Sequence, residues 1–85
     1  MKEFKYVVTD PQGIHARPAG IFVKTAASFP CEVKIAKGER EVDAKRIMGV
    51  MSLGVKKGEE ITIRISGEDE ETAAEALEKF LTENL

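Results

Sequence analysis

The stretch GIHARPAG, residues 13–20, holds the only histidine of the chain. Gly13 precedes His15 by two positions, Arg17 follows it by two, and Pro18 comes next. A helical apolar pattern begins here, so His15 stands just ahead of a helix start. The first N–H groups of a helix lack partners inside it and carry partial positive charge, which makes them an anion site. The Ala16 and Arg17 backbone would supply those groups. The same positive end favours an uncharged imidazole with a ring nitrogen free to attack. Arg17 adds a permanent charge and a planar fork of donors suited to phosphate oxygens. Gly13 permits a tight turn, and Pro18 stiffens the first helical turn, where its missing N–H is no loss. Together these residues describe a histidine that accepts a phosphoryl group. A lone histidine beside a turn is most often an ordinary solvated side chain. Glycine, histidine, arginine and proline all falling where the chemistry needs them favours the chemical reading. No second acid–base partner is evident, so catalysis is expected from partner proteins.

The elements that must hold this stretch follow from periodicity. Residues 3–9 alternate, with Phe4, Tyr6 and Val8 on one face, and predict a strand. DPQG (10–13) is turn chemistry. A helix over 16–27 shares Ala19, Phe22, Val23 and Ala26 on one face, and SFP (28–30) ends it. CEVKIAK (31–37) alternates again, with Cys31, Val33 and Ile35 inward. KGER (37–40) is a turn, EVDA (41–44) a short strand, and RIMGVMSLG (46–54) a short apolar helix stopped by Gly54. KKGEE (56–60) turns the chain into ITIRIS (61–66), a strand with Ile61, Ile63 and Ile65 inward. GEDEE (67–71) places four acidic residues at the start of the last helix, where the dipole favours them. Its buried stripe is Ala73, Ala76, Leu77, Phe80 and Leu81. The order β-α-β-β-α-β-α predicts an α+β fold, a four-stranded antiparallel sheet with three helices on one face.

A chain of 85 residues is expected to form one domain over 1–85. Its core is too small for a deep catalytic cavity, so any chemistry belongs on the surface. Thirteen basic and 15 acidic residues give a net charge of −2, with no block of like charge for a nucleic-acid tail or a membrane-surface helix. The strands also lack the paired aromatics that stack bases, which argues against a small nucleic-acid-binding module. Cys31 is the only cysteine, so neither an internal disulfide nor a C-x-x-C metal site is available, and a metallochaperone is disfavoured. MKEFKYVVTD is charged early and is no signal peptide, and no segment could span a bilayer. A cytoplasmic monomer without metal or cofactor is the expectation.

Two separated stretches carry a family resemblance. GIHARPAGIFVKTAASF and KRIMGVMSLGVKKGEEITI resemble the HPr phosphocarrier family of the bacterial sugar phosphotransferase system, and the length and element order agree over essentially the whole chain. The resemblance implies the family's open-faced β-sandwich. It implies that His15 takes a phosphoryl group on Nδ1 from phosphorylated enzyme I, assisted by Arg17, and passes it to IIA domains of sugar permeases. The wording IMGVMSLG is closer to Gram-positive members than to enteric ones.

That second motif has a physical reading of its own. One short helix cannot bury Ile47, Met48, Val50, Met51 and Leu53 together. Val50 and Leu53 are expected in the core, with some of Ile47, Met48 and Met51 exposed beside His15. Exposed methionines adapt to several partners. The resemblance makes this helix and the first helix a shared docking face, with Ala16, Gly20 and Lys24 on the first helix. Position 46 departs from the family. Gram-positive members carry a serine there for a dedicated kinase, and this chain has Arg46 after Lys45. Arginine offers that kinase no hydroxyl and cannot cap a helix as serine does. The serine kinase and its dependent repressor complex are therefore not expected partners. Arg46 also keeps open a regulatory or nitrogen-type paralogue, in which phosphorylated His15 signals instead of driving sugar uptake.

Overall fold

Strand alternation builds a sheet with one apolar face, and the helices cover that face. The computed structural model describes residues 1–85. Its elements are β1 (Lys2–Val7), α1 (Ala16–Ala27), β2 (Glu32–Lys37), β3 (Arg40–Asp43), α2 (Ile47–Ser52), β4 (Glu60–Ser66) and α3 (Glu70–Asn84). The sheet order is β1-β4-β2-β3, antiparallel at every pairing. Ile63 of β4 lies between Phe4 of β1 and Ile35 of β2. Ile61, Ile63 and Ile65 are completely buried, as the alternation requires of a central strand.

The helices close the core with Ala19, Phe22 and Ala26 of α1, Val50 of α2, and Ala73, Leu77, Phe80 and Leu81 of α3. The Phe22 and Phe80 rings meet at a centroid distance of 6.0 Å, tilted by 38°, within the range of favourable aromatic pairs. Of the expected stripes, Val23 is half-buried and Ala76 is half-exposed at the edge of α3. Ala74 packs against the core from the other edge of that helix.

Several boundaries differ from the sequence expectation. β1 ends at Val7; Val8 still bonds to Gly58 and Glu59, and after it the chain is drawn away from the ladder. The Thr9 and Asp10 N–H groups both donate to the Leu85 carbonyl oxygen, at 2.6 and 2.9 Å. Cys31 is buried but precedes β2. β3 starts one residue early, and α2 is confined to Ile47–Ser52, with Arg46 as its N-terminal flank. Gly54 lies just past α2 with φ +58°, the left-handed stop that glycine adopts most readily.

On the helix-free face, Arg64 of β4 donates to Glu3 of β1 and to Glu41 of β3. The loop between α2 and β4 is tied by Glu59. Its carboxylate accepts the Lys56 N–H at 2.7 Å and pairs with the Lys37 ammonium at 3.0 Å. Hydrogen bonding from Lys37, then from Lys56, holds the Glu59 carboxyl below the usual carboxylate range. A carboxyl lowered in the folded state stabilises at neutral pH, and that contribution vanishes as pH falls through its folded pKa. Wild type is therefore expected to melt slightly above Glu59→Gln at neutral pH, with the gap closing on acidification. Thermal melts across the acid range check this, and a gap that widens instead contradicts it.

Candidate functional site

The loop before α1 is built to present His15. Asp10 starts a turn in which its carbonyl accepts the Gly13 N–H at 2.8 Å and its carboxylate accepts the Gln12 N–H at 2.8 Å. Gly13 has φ +66°, and a Cβ there would lie 2.2 Å from the Val55 carbonyl oxygen. Only glycine fits both the angle and the space. Ile14 follows, 7% exposed, with its N–H donating to the same Val55 oxygen at 3.1 Å. Thus anchored, the chain turns outward at His15, whose side chain is 36% exposed. His15 is the N-cap of α1 with extended backbone, and its carbonyl accepts the Ala19 N–H at 3.0 Å. Pro18 has no N–H, so Ala16 and Arg17 carry the free donors of the first turn.

The imidazole Nε2 lies 3.7 Å from a carboxylate oxygen of Asp10, an electrostatic contact longer than a hydrogen bond. Asp10, His15, Arg17, Pro18, Ile21 and Asn84 line an open cavity of about 200 Å³. Asp10, Ile21 and Asn84 were not singled out from the sequence. The DPQG turn contained the signal for Asp10, because a tight turn at 10–13 returns residue 10 towards residue 15. Nothing local marks Asn84, which arrives from the far end of the chain. A larger cavity of about 370 Å³ opens on the helix-free side of the sheet around Arg64, Lys34, Glu32 and Glu41. Its charges are spent on ion pairs, Arg64 across strands to Glu3 and Glu41 and Lys34 with Glu32 along β2, and it contains neither His15 nor Arg17. His, Cys, Asp and Glu side chains form no group of three or more able to hold a metal ion.

Beside this cavity, α1 and α2 form one surface. Gly20 faces α2, and a Cβ on it would sit in ordinary contact with Ile47 Cδ1 at 3.7 Å. Ala16 and Lys24, four residues to either side of Gly20, are exposed. On α2, Met48 is 80% exposed, Ile47 41% and Met51 37%, while Val50 and Leu53 are buried. Arg46 is exposed at the start of α2, makes no capping hydrogen bond, and approaches Asp43 at 3.9 Å. Lys45 is turned the other way, donating to the Phe29 carbonyl at 2.8 Å.

An exposed helix start that carries the only histidine, beside an exposed apolar surface, agrees with what the chain matches. The family model described as "PTS HPr component phosphorylation site" aligns with residues 2–83. The phosphocarrier protein HPr of Lysinibacillus sphaericus is 43% identical over 83 residues, covering 98% of this chain and 94% of that protein. The chain belongs to the HPr family. The HPr crystal structure from Thermoanaerobacter tengcongensis superposes with a TM-score of 0.92 at 41% identity, covering 96% of this chain and 92% of that one. The fold is accordingly the HPr open-faced sandwich, and the chain is a phosphocarrier of the phosphotransferase system. An HPr dimer from the same organism also matches, with a TM-score of 0.78 at 41% identity over 98% of this chain and 95% of that one. No helix of the chain is long and apolar enough to cross a membrane.

Proposed function

We propose that His15 accepts a phosphoryl group from phosphorylated enzyme I and passes it to IIA domains of sugar permeases, in the cytoplasm and as a monomer. Support comes above all from one observation: His15, the free N–H groups of Ala16 and Arg17, and the Arg17 side chain meet at a single exposed helix start. The Asp10 carboxylate near Nε2 favours a proton on that nitrogen and leaves the Nδ1 lone pair for attack. As the Nδ1–phosphorus bond forms and the donor's bond to phosphorus breaks, the ring becomes positive and Asp10 offsets that charge. The arriving oxygens meet the helix N–H groups and Arg17, which lower the barrier electrostatically. Return of the group to a IIA domain reverses these roles. The test is incubation with enzyme I and phosphoenolpyruvate. A mass gain of one phosphate, acid-labile and alkali-stable, is expected, and no gain would overturn the proposal. Arg46 favours the regulatory paralogue as a second reading, and transfer to regulatory but not sugar-specific IIA domains would decide for it.

The docking role of α2 carries its own expectation. Met48→Asp should weaken binding to enzyme I about tenfold or more, since a buried unpaired charge at an interface costs more than 1.4 kcal/mol. Its melting temperature should barely move, because the side chain is 80% exposed. Calorimetric titration and thermal melts measure both, and a large stability loss with binding intact would place Met48 in the core.

Arg46→Ser should restore a hydroxyl for the family's serine kinase and stabilise α2. Serine can accept a bond from a first-turn N–H, worth about 0.5–2 kcal/mol, which arginine cannot do. The loose, exposed Arg46–Asp43 pair offsets little of this. Phosphate incorporation and urea melts of both forms check the two halves. Seryl phosphorylation of the Arg46 form, or a less stable Arg46→Ser variant, contradicts the respective half.

A further inference from the structure

The two ends of α2 are held very differently. At the start there is no side-chain cap and no acidic residue, and Arg46 places a cation at the positive end. At the finish every carbonyl is accounted for. The Gly49 oxygen accepts from the Ser52 hydroxyl at 2.6 Å. Those of Val50 and Met51 accept from the N–H groups of Leu53 and Gly54, at 3.2 and 3.1 Å. The Ser52 carbonyl accepts from Arg40 Nη1 at 2.7 Å, while Arg40 Nη2 reaches the Ser52 hydroxyl at 3.3 Å. The Leu53 and Gly54 carbonyls accept from Lys37 Nζ at 3.4 and 3.3 Å.

Both cations come from one place. Lys37 and Arg40 are directly paired across the β2–β3 hairpin. Alternation from Val33 and Ile35 puts Lys37 on the helix-covered face of the sheet, and Arg40 shares that face with Val42. A cation at an inward-facing position is unusual in a strand, and here it has carbonyl acceptors waiting. Cations are also the favoured charge at a helix C-terminus. A helix of six residues cannot sustain itself, since nucleation costs more than so few internal bonds return. With Ile47, Met48 and Met51 exposed, only Val50 within α2 is buried to hold it down.

We infer that Arg40, assisted by Lys37, is a positioning residue that clamps the docking helix α2 by its C-terminal carbonyls and so presents Ile47, Met48 and Met51 to partners. This rests on the docking role given to α2 above. Without the clamp α2 frays, the binding-competent fraction falls, and apparent affinity falls by that fraction. The chemistry at His15 is untouched, because neither cation lines its cavity.

The experiment compares wild type, Arg40→Ala, Arg40→Lys and Lys37→Met. Steady-state phosphorylation by enzyme I and amide hydrogen exchange are read for each. Arg40→Ala should raise the KM of enzyme I for this protein about fivefold, the net scale of one ordinary hydrogen bond, with kcat changed less than about twofold. Val50, Leu53 and Gly54 amides should exchange about fivefold faster while β4 amides keep their wild-type rates. Lys37→Met should move the same readouts in the same direction. Arg40→Lys can still donate to the Ser52 carbonyl and should recover most of both. The proposal is overturned if KM and α2 exchange stay at wild-type values in Arg40→Ala and Lys37→Met. It is equally overturned if β4 exchange accelerates as much as α2, or if Arg40→Lys fails as badly as Arg40→Ala. Should wild type take no phosphate from enzyme I, the phosphocarrier reading fails by itself, and the exchange rates alone then decide the clamp.

Discussion

His15→Ala is expected to fold like wild type and to take up no phosphate from phosphorylated enzyme I. The imidazole is partly exposed and makes no capping hydrogen bond, so its loss leaves no hole in the core. What His15 contributes to α1 is its backbone carbonyl, which accepts from Ala19, and alanine keeps that carbonyl. The stability change should therefore stay within about 0.5 kcal/mol, the usual range for surface substitutions. The effect on transfer should be total, because the chain has no other histidine to carry a phosphoramidate. Removing Arg17 or a docking residue would only slow the same reaction. Mass spectrometry after incubation with enzyme I and phosphoenolpyruvate measures uptake, and a urea melt measures stability. An acid-labile phosphate on the alanine variant would show that the assignment of His15 is wrong.

Gly13→Ala should destabilise the protein far more than its size suggests. A left-handed angle of +66° strains any residue with a Cβ, by roughly 1–2 kcal/mol. The added carbon would also lie 2.2 Å from the Val55 oxygen and 2.8 Å from the Lys56 Cα. Both are backbone atoms of the loop that receives the Ile14 N–H, so the obstacle cannot swing aside. Relief requires the two loops to separate, losing that hydrogen bond and part of the burial of Ile14. A total loss of about 3–5 kcal/mol is expected, in the class of severe backbone and packing lesions. That is a large share of the stability of a small domain. Gly38→Ala is the internal control. Gly38 has nearly the same angle, +61°, but nothing lies within 4 Å of its would-be Cβ. Urea melts of the two variants separate strain from contact. Equal losses at both sites would mean that the Val55 contact contributes nothing.

The contrast between these two glycines shows where sequence reading stops. Each was recognisable as turn chemistry, Gly13 in DPQG and Gly38 in KGER. Neither stretch reveals what the other side of the molecule brings against it. The same holds at the proposed acceptor site. His15 at a helix start with Arg17 and Pro18 was legible from a few adjacent residues, because helix entry is a local event governed by bonds between near neighbours. The exposure of Met48 and the burial of Val50 followed from the geometry of one short helix. Family resemblance, not periodicity, supplied the roles of Ala16, Gly20 and Lys24 and the identity of the partners.

By itself the sequence determined the element order, the inward faces of the strands, and the single histidine at the entry to a helix. These depend on alternation, helical period and turn residues, all of which act over a few positions. Only the tertiary structure decided that Asn84 lines the cavity around the imidazole, that Val55 forbids any side chain at position 13, and that Lys37 and Arg40 end on carbonyls at the C-terminal end of α2. These contacts join residues 12 to 69 positions apart along the chain. Their existence depends on strand register and helix placement, which emerge when the whole apolar surface is buried at once and cannot be computed from any window of neighbours.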